Sequence, residues 1–347
     1  MSSFIMRGVC GCFTSFIIAL VWGPFCIRFL NAHGYVDGDK SPSLEVRKEH
    51  ADKVGTPVMG GLIFIVAFIL SVLIWCDWSN LFVWGAILSS FGFALIGGID
   101  DVVKSRMVRN GLSVRVKFFL LILVAVAVVC FLCWYLGESL WKLCIPIIGV
   151  HWYIGAIGFV VLGIFVLLGC SNAVNLTDGM DGLAIGCSII CAIVFGIFSC
   201  IVGKENWATL YSLLYVPGAI ELFVCCMILV GASFGFLWFN GFPATVFMGD
   251  CGSLMLGGFL GYVAIALRME LWLVVIGGIF VMEAVSVILQ VSSYRLRNKK
   301  RIFLCAPIHH HFRRLGCPET RIINRFWITS FFLGLLALAS VFCIPKI

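Results

Sequence analysis

An all-α, polytopic membrane fold with about ten transmembrane helices is what the sequence predicts, and three observations carry that expectation. Of 347 residues, 62% are hydrophobic and only 12% charged, where a soluble domain carries roughly 25% charged residues, so a water-soluble enzyme is excluded. The apolar residues come in continuous runs close to the roughly 20 that one bilayer crossing requires. These runs lack the in-out alternation of a transmembrane strand, which excludes a barrel.

Ten apolar windows follow in chain order. The first, 13–30, trails Arg7 as a signal peptide would, but no small-residue cleavage site follows it, and a retained helix is expected. The second, 57–76, opens with Pro57 at its first turn, a position proline favours. The third and fourth, 81–99 and 116–136, flank a basic connection. The fifth and sixth, 153–171 and 183–202, are joined by a turn rich in Gly, Asn and Asp. The seventh and eighth, 218–239 and 252–267, enclose a similar one. The ninth and tenth, 271–292 and 326–343, bracket a loop of about thirty residues. The whole chain, 1–347, reads as one integral membrane domain.

An even number of spans puts both termini on one side and sorts the connections into two sets. All 24 Lys and Arg except Arg7, Lys142, Lys204, Arg268 and Lys346 fall in one set. The excess of basic residues on cytoplasmic loops places that set in the cytoplasm and both termini in the periplasm. It also accounts for the net charge of +7 without a nucleic-acid partner. The same set holds every Asp except Asp77 and every His except His151, so a cytoplasmic catalytic face is expected. Most of the 17 cysteines, such as Cys191, Cys225 and Cys226, lie within apolar runs, where a thiol behaves as a small hydrophobe. Cys130 and Cys133 form a CxxC with no second pair or nearby histidine, so it carries no metal or redox reading.

Five polar motifs interrupt the apolar pattern. At 97–104 (GGIDDVVK) the adjacent Asp100 and Asp101 end the third window at the membrane boundary, where ionisable groups are costly and usually functional. At 171–182 (SNAVNLTDGMDG), Asp178 and Asp181 are three apart and share a face of a helical turn, with Asn175 beside them. The third motif, 239–253 (FNGFPATVFMGDCGS), offers the Asn240 amide, the Phe247 ring for stacking on a base, and Asp250 between two glycines. A hard cation such as Mg2+ takes one or two carboxylates together with phosphate oxygens and water; Asp250 suits that role, and also an N-cap. In 306–312 (APIHHHF) consecutive histidines point in different directions and cannot all ligate one ion, so hydrogen bonding to phosphate is expected instead. The motif at 53–61 (KVGTPVMGG) puts Lys53 near a helix N-terminus, an anion site. Carboxylates to hold Mg2+ and cations to hold phosphates are what phosphoryl transfer requires. A lipid-soluble substrate explains its placement in a membrane.

These motifs, in this order, closely resemble the phospho-N-acetylmuramoyl-pentapeptide transferase family of the polyprenyl-phosphate hexose-1-phosphate transferases, from KVGTP at Lys53 to the RFWI run at Arg325. The resemblance implies a homodimeric, ten-helix enzyme of the bacterial inner membrane. It would transfer phospho-MurNAc-pentapeptide from UDP-MurNAc-pentapeptide to undecaprenyl phosphate, releasing UMP and forming lipid I. By matching motifs, Asp250 is the implied Mg2+ ligand, and Asp100 and Asp101 the pair that deprotonates or orients the lipid phosphate. Asn175, Asp178, Asp181, Asn240 and Phe247 are implied donor contacts, with Lys53, Lys104, Lys117, Gln290, His309, His310 and His311 also lining the site.

Two rivals are kept in view. A sister transferase would move GlcNAc-1-phosphate to the same lipid. A secondary transporter would use intramembrane acids, for which Glu283 and Glu221 are available, but would place its site near the midplane between repeated halves, and no repeat is evident.

Overall fold

The computed structural model describes residues 2–36, 55–106, 111–146, 148 and 150–344. In chain order the helices are α1 (Ser2–Ala32), α2 (Gly61–Trp75), α3 (Leu81–Arg106), α4 (Val114–Leu136), α5 (Gly155–Thr177), α6 (Leu183–Val202), α7 (Glu205–Leu210), α8 (Glu221–Asn240), α9 (Gly249–Ala266), α10 (Glu270–Ile276), α11 (Gly278–Leu296), α12 (Ile308–Arg314) and α13 (Glu319–Phe342). One antiparallel hairpin, β1 (Lys142–Cys144) with β2 (His151–Tyr153), sits between α4 and α5. Nine helices among the described residues are long and apolar enough to cross a membrane.

Each of the ten predicted windows is helical, with two qualifications. The 15 residues of α2 rise only about 22 Å, short of the roughly 30 Å hydrocarbon core. The ninth window is broken: Gly277 separates α10 from α11, and two adjacent glycines lower the cost of leaving helical geometry. The first and last helices also run further than the apolar windows, because their polar ends lie outside the runs that hydropathy detects.

Helix α9 is the axis of the bundle, with 89% of its apolar window buried. A Cβ at Gly257 would lie 2.5 Å from the Cys170 carbonyl oxygen and the Ser171 Cα of α5, and one at Gly258 2.5 Å from the Phe93 ring of α3. Small residues at such crossings let backbones approach and recover dispersion energy where lipid offers no hydrophobic drive. On the α3 side, a Cβ at Gly97 would meet the Asp250 carbonyl oxygen at 2.2 Å, so the helix that carries the paired aspartates is seated on the start of α9.

Both ends of the described chain lie at one end of the bundle. Lys204 stacks over Phe4 of α1 and Trp207 of α7, and Tyr211 meets Phe342 of α13 with ring centroids 5.3 Å apart. The apolar outer faces of α1, α4, α5 and α13, which expose residues such as Phe13, Phe119, Phe165 and Phe332, are those of a lipid-facing surface. None of the 17 cysteines forms a disulfide.

Candidate active site

The far end of the bundle gathers the C-termini of α3, α5 and α8 and the N-termini of α4, α6 and α9. Antiparallel alternation brings these six ends together and, with them, most of the polar motifs. At the centre, four charged side chains form one cluster. Lys104 Nζ lies 2.9 Å from Asp100 Oδ2 and 2.6 Å from Asp250 Oδ2. Lys117 Nζ lies 3.0 Å from Asp100 Oδ2 and also donates to Asp250 Oδ2. Each lysine therefore serves both carboxylates. The carboxylates are 3% and 13% exposed, whereas Lys104 is 42% and Lys117 18% exposed, so the cluster opens to solvent on its ammonium side.

Although adjacent in sequence, Asp100 and Asp101 face different partners, since neighbours on a helix point about 100° apart. Asp100 Oδ1 also accepts from the Leu112 amide at 2.6 Å. A Cβ at Gly111 would lie 2.5 Å from that same oxygen, and its φ of +90° suits glycine. Asp101 accepts from the amides of Asp250 at 3.1 Å and Cys251 at 2.9 Å. It thus satisfies the orphan donors at the start of α9 from another helix and fixes the backbone that carries Asp250.

The turn between α5 and α6 flanks the cluster. Asn175 Oδ1 accepts from Ser253 Oγ of α9 at 2.9 Å. Asp178 caps the end of α5, and among the described residues none donates a hydrogen bond to its carboxylate. Burial, with Asp250, Asp101 and Asp181 close by, pushes the Asp178 carboxyl up to about 8. Asp181 accepts from the Ala244 amide at 3.0 Å. Asn240 accepts from the Gly182 amide at 3.0 Å and donates to the Val246 carbonyl at 2.9 Å, so both faces of its amide tie the two turns together. Phe247, half-buried, is anchored through its backbone to Pro57 and Gly60. Lys53 lies outside the described residues.

The three histidines diverge, as consecutive helical residues must. His309 is buried, with Nδ1 3.1 Å from Glu283 Oε1, and its Nε2 lies where a Cβ on Gly179 would be 2.4 Å away. It therefore backs the Asp178 turn. The ring of His310 lies against it, with centroids 4.2 Å apart. His311 instead accepts from the Leu304 amide at 3.1 Å. Gln290 accepts from the Ile302 and Phe303 amides and donates to the Phe303 carbonyl at 2.9 Å, so its contacts, like those of His311, are with loop 301–306 and not with the carboxylates.

Two acids prominent in the sequence are paired structurally. Glu221 receives both Nη atoms of Arg7, at 2.8 and 2.9 Å, at the other end of the bundle, and Glu283 meets His309. Both are therefore engaged by partners within the bundle, Glu221 by Arg7 and Glu283 by His309. Sequence reasoning did not give Glu283 a part in the site, nor Glu319, whose carboxylate accepts from the Asp181 amide at 3.1 Å. A lone acid within an apolar run was the signal for Glu283, but its partner lies far along the chain.

Among the described residues no three His, Cys, Asp or Glu side chains are grouped to hold a metal ion. The donor set instead suits Mg2+ in its usual mode, one or two carboxylates with the remaining positions left to phosphate and water: the acids here are hard oxygen donors, and the Asp250 side chain is 13% exposed at the mouth. Two ammonium groups beside a carboxylate at one solvent-open mouth can bind and neutralise a phosphorylated substrate.

Residues 83–268 match the model of glycosyl transferase family 4. The phospho-N-acetylmuramoyl-pentapeptide-transferase of Desulfovibrio desulfuricans is 43% identical over 343 residues, covering 96% of this chain and 92% of that protein. Proteins of the same name from Oleidesulfovibrio alaskensis and Desulfatibacillum aliphaticivorans are also 43% identical, over 343 and 341 residues, with the same coverage.

Proposed function

Because the chain belongs to the phospho-N-acetylmuramoyl-pentapeptide transferase family, we infer that it transfers phospho-MurNAc-pentapeptide from UDP-MurNAc-pentapeptide to undecaprenyl phosphate in the plasma membrane, yielding lipid I and UMP. The observation that carries this reading is the sharing of Lys104 and Lys117 between Asp100 and Asp250. Ammonium groups already gathered at one mouth can be drawn onto the oxygens of an incoming diphosphate with little rearrangement.

In the proposed mechanism, the lysines turn from the carboxylates to the donor's phosphates. Asp100, thereby released, accepts a proton or hydrogen bond from the lipid phosphate. An oxygen of that phosphate attacks the sugar-linked phosphorus, a new P–O bond forms, and the bond to UMP breaks. Mg2+, held by Asp250 when bound, would neutralise charge developing on the phosphates. Asp101 acts as a positioning residue, since both its oxygens hold the backbone of Asp250 and Cys251. The Asn175–Asp181 turn, backed by His309, forms the adjoining wall for the donor.

We place this mouth in the cytoplasm, with both termini in the periplasm, on the segregation of basic residues to one set of loops. A homodimer is part of the proposal on family resemblance. The purified protein in detergent with Mg2+ and a polyprenyl phosphate is expected to release UMP from UDP-MurNAc-pentapeptide and not from UDP-GlcNAc. Release from UDP-GlcNAc alone would move the chain to the sister chemistry, and release from neither, with the fold intact, would overturn the reading.

A further inference from the structure

A second polar cleft lies apart from the carboxylate cluster. It has a volume of about 450 Å³ and is lined by Gln290, Tyr294 and Arg295 of α11, Arg301 and Leu304 of the following loop, and Arg314 of α12. Its shape is fixed by hydrogen bonds: Gln290 holds the backbone of Ile302 and Phe303, and Ser293 Oγ donates to the Lys300 carbonyl at 2.9 Å. Arg314 donates to the Leu304 carbonyl at 3.4 Å. Neither Arg295 nor Arg301 has a carboxylate partner among the described residues.

Two further observations define what this cleft can take. Between Glu283 and Glu319 the sequence has no acidic residue, while Arg295, Arg297, Lys299, Lys300, Arg301, Arg313 and Arg314 all lie there; Arg313 reaches Glu319 at 3.8 Å, and the run from Arg295 to Arg301 gives the cleft an excess of positive charge. The outer face of α11 leading to the cleft exposes Val285, Ile288, Leu289 and Val291 by 43–62%, an apolar surface for acyl chains. Arginine forks match phosphate oxygens bidentately, and basic pockets where helices leave the membrane suit anionic headgroups.

We propose that this cleft is a binding site for the headgroup of an anionic phospholipid from the surrounding leaflet, its acyl chains lying along the outer face of α11. The site requires only that the chain spans a membrane, and stands whether or not the transfer reaction is the one inferred above.

The test is lipid retention by the full-length protein. Protein in nanodiscs of mixed phosphatidylglycerol and phosphatidylcholine is extracted into mild detergent, and retained lipid is measured by native mass spectrometry. Wild type is expected to retain phosphatidylglycerol selectively. Arg295→Gln/Arg301→Gln should weaken that retention by about tenfold, given the attraction of each basic residue near an anionic surface, whereas Arg297→Gln/Lys299→Gln/Lys300→Gln, outside the cleft, should retain it. An unchanged melting temperature in pure phosphatidylcholine shows that the double variant is folded; if it is not, Arg295→Lys/Arg301→Lys takes its place, with a smaller loss expected because the charge is kept and the fork is not. The proposal is overturned if the cleft variants retain phosphatidylglycerol as wild type does, or if the outer triple variant loses as much, which would mark a diffuse field. It is equally overturned if polyprenyl phosphate displaces phosphatidylglycerol from wild type while phosphatidylglycerol cannot displace it, which would assign the cleft to the acceptor.

Discussion

Charged side chains are neutralised at both ends of the bundle, but by different cations. Away from the site, the partners are arginines. Arg7 forks onto both oxygens of Glu221 and also reaches the Trp75 carbonyl, and Arg268 joins Glu270 while donating to the Ser139 and Lys142 carbonyls. In the central cluster of the mouth the partners are lysines, each touching two carboxylates. A planar guanidinium locked into several acceptors is a fastener. An ammonium on a flexible stem, held by interchangeable acceptors and open to solvent, is a charge that can change partners. The contrast separates charge kept for architecture from charge kept for work.

The largest expected effect tests the working end. Asp250→Asn should lower UMP release by about 10³-fold, several kcal/mol of transition-state stabilisation, with little change in melting temperature. A comparable loss of folded protein would instead make Asp250 architectural.

Exchanging the cation type probes the contrast directly. Lys117→Arg keeps the charge but imposes a fork on a shared point contact, and displacement on that scale should cost about a hundredfold in turnover at unchanged stability. The reciprocal Arg7→Lys removes one of two charged hydrogen bonds to Glu221, worth about 2 kcal/mol; a lower melting temperature with normal turnover per folded molecule is expected. If both swaps affected turnover alone, the distinction between the two ends would fail.

The last test concerns Asp178. Its carboxyl in the folded protein is raised to about 8, against about 3.9 in an unfolded chain. The folded state therefore holds a proton that the unfolded state has lost across that window, and stability declines as pH rises from 4 to 8 and then levels off. Asp178→Asn removes the titration, so its melting temperature should gain on wild type as pH rises through that window. A gap that is constant with pH would show that Asp178 is not so perturbed.

The helices were legible because continuous apolar runs leave few alternatives, and the carboxylates because charge near a membrane is expensive. The break at Gly277 was not, since both of its flanks are equally apolar. Nor was the divergence of Asp100 from Asp101: one residue of helical rotation sends them to partners that become neighbours only through folding. Asn240 and Gln290 were visible as amides, yet their partners are backbone groups of distant turns, which side-chain patterns do not encode. Glu283 and His309 were each conspicuous, and only the crossing of α11 with α12 joins them.

The central cluster holds two formal positive and two formal negative charges. Its neutrality means that a lone anion or a lone cation finds little net attraction there, whereas a diphosphate arriving with magnesium lets each lysine and carboxylate find a replacement counter-charge. Few bulk ions need be shed in that exchange. The ionic-strength dependence of donor KM should accordingly be shallow, a behaviour opposite to that of a purely basic pocket.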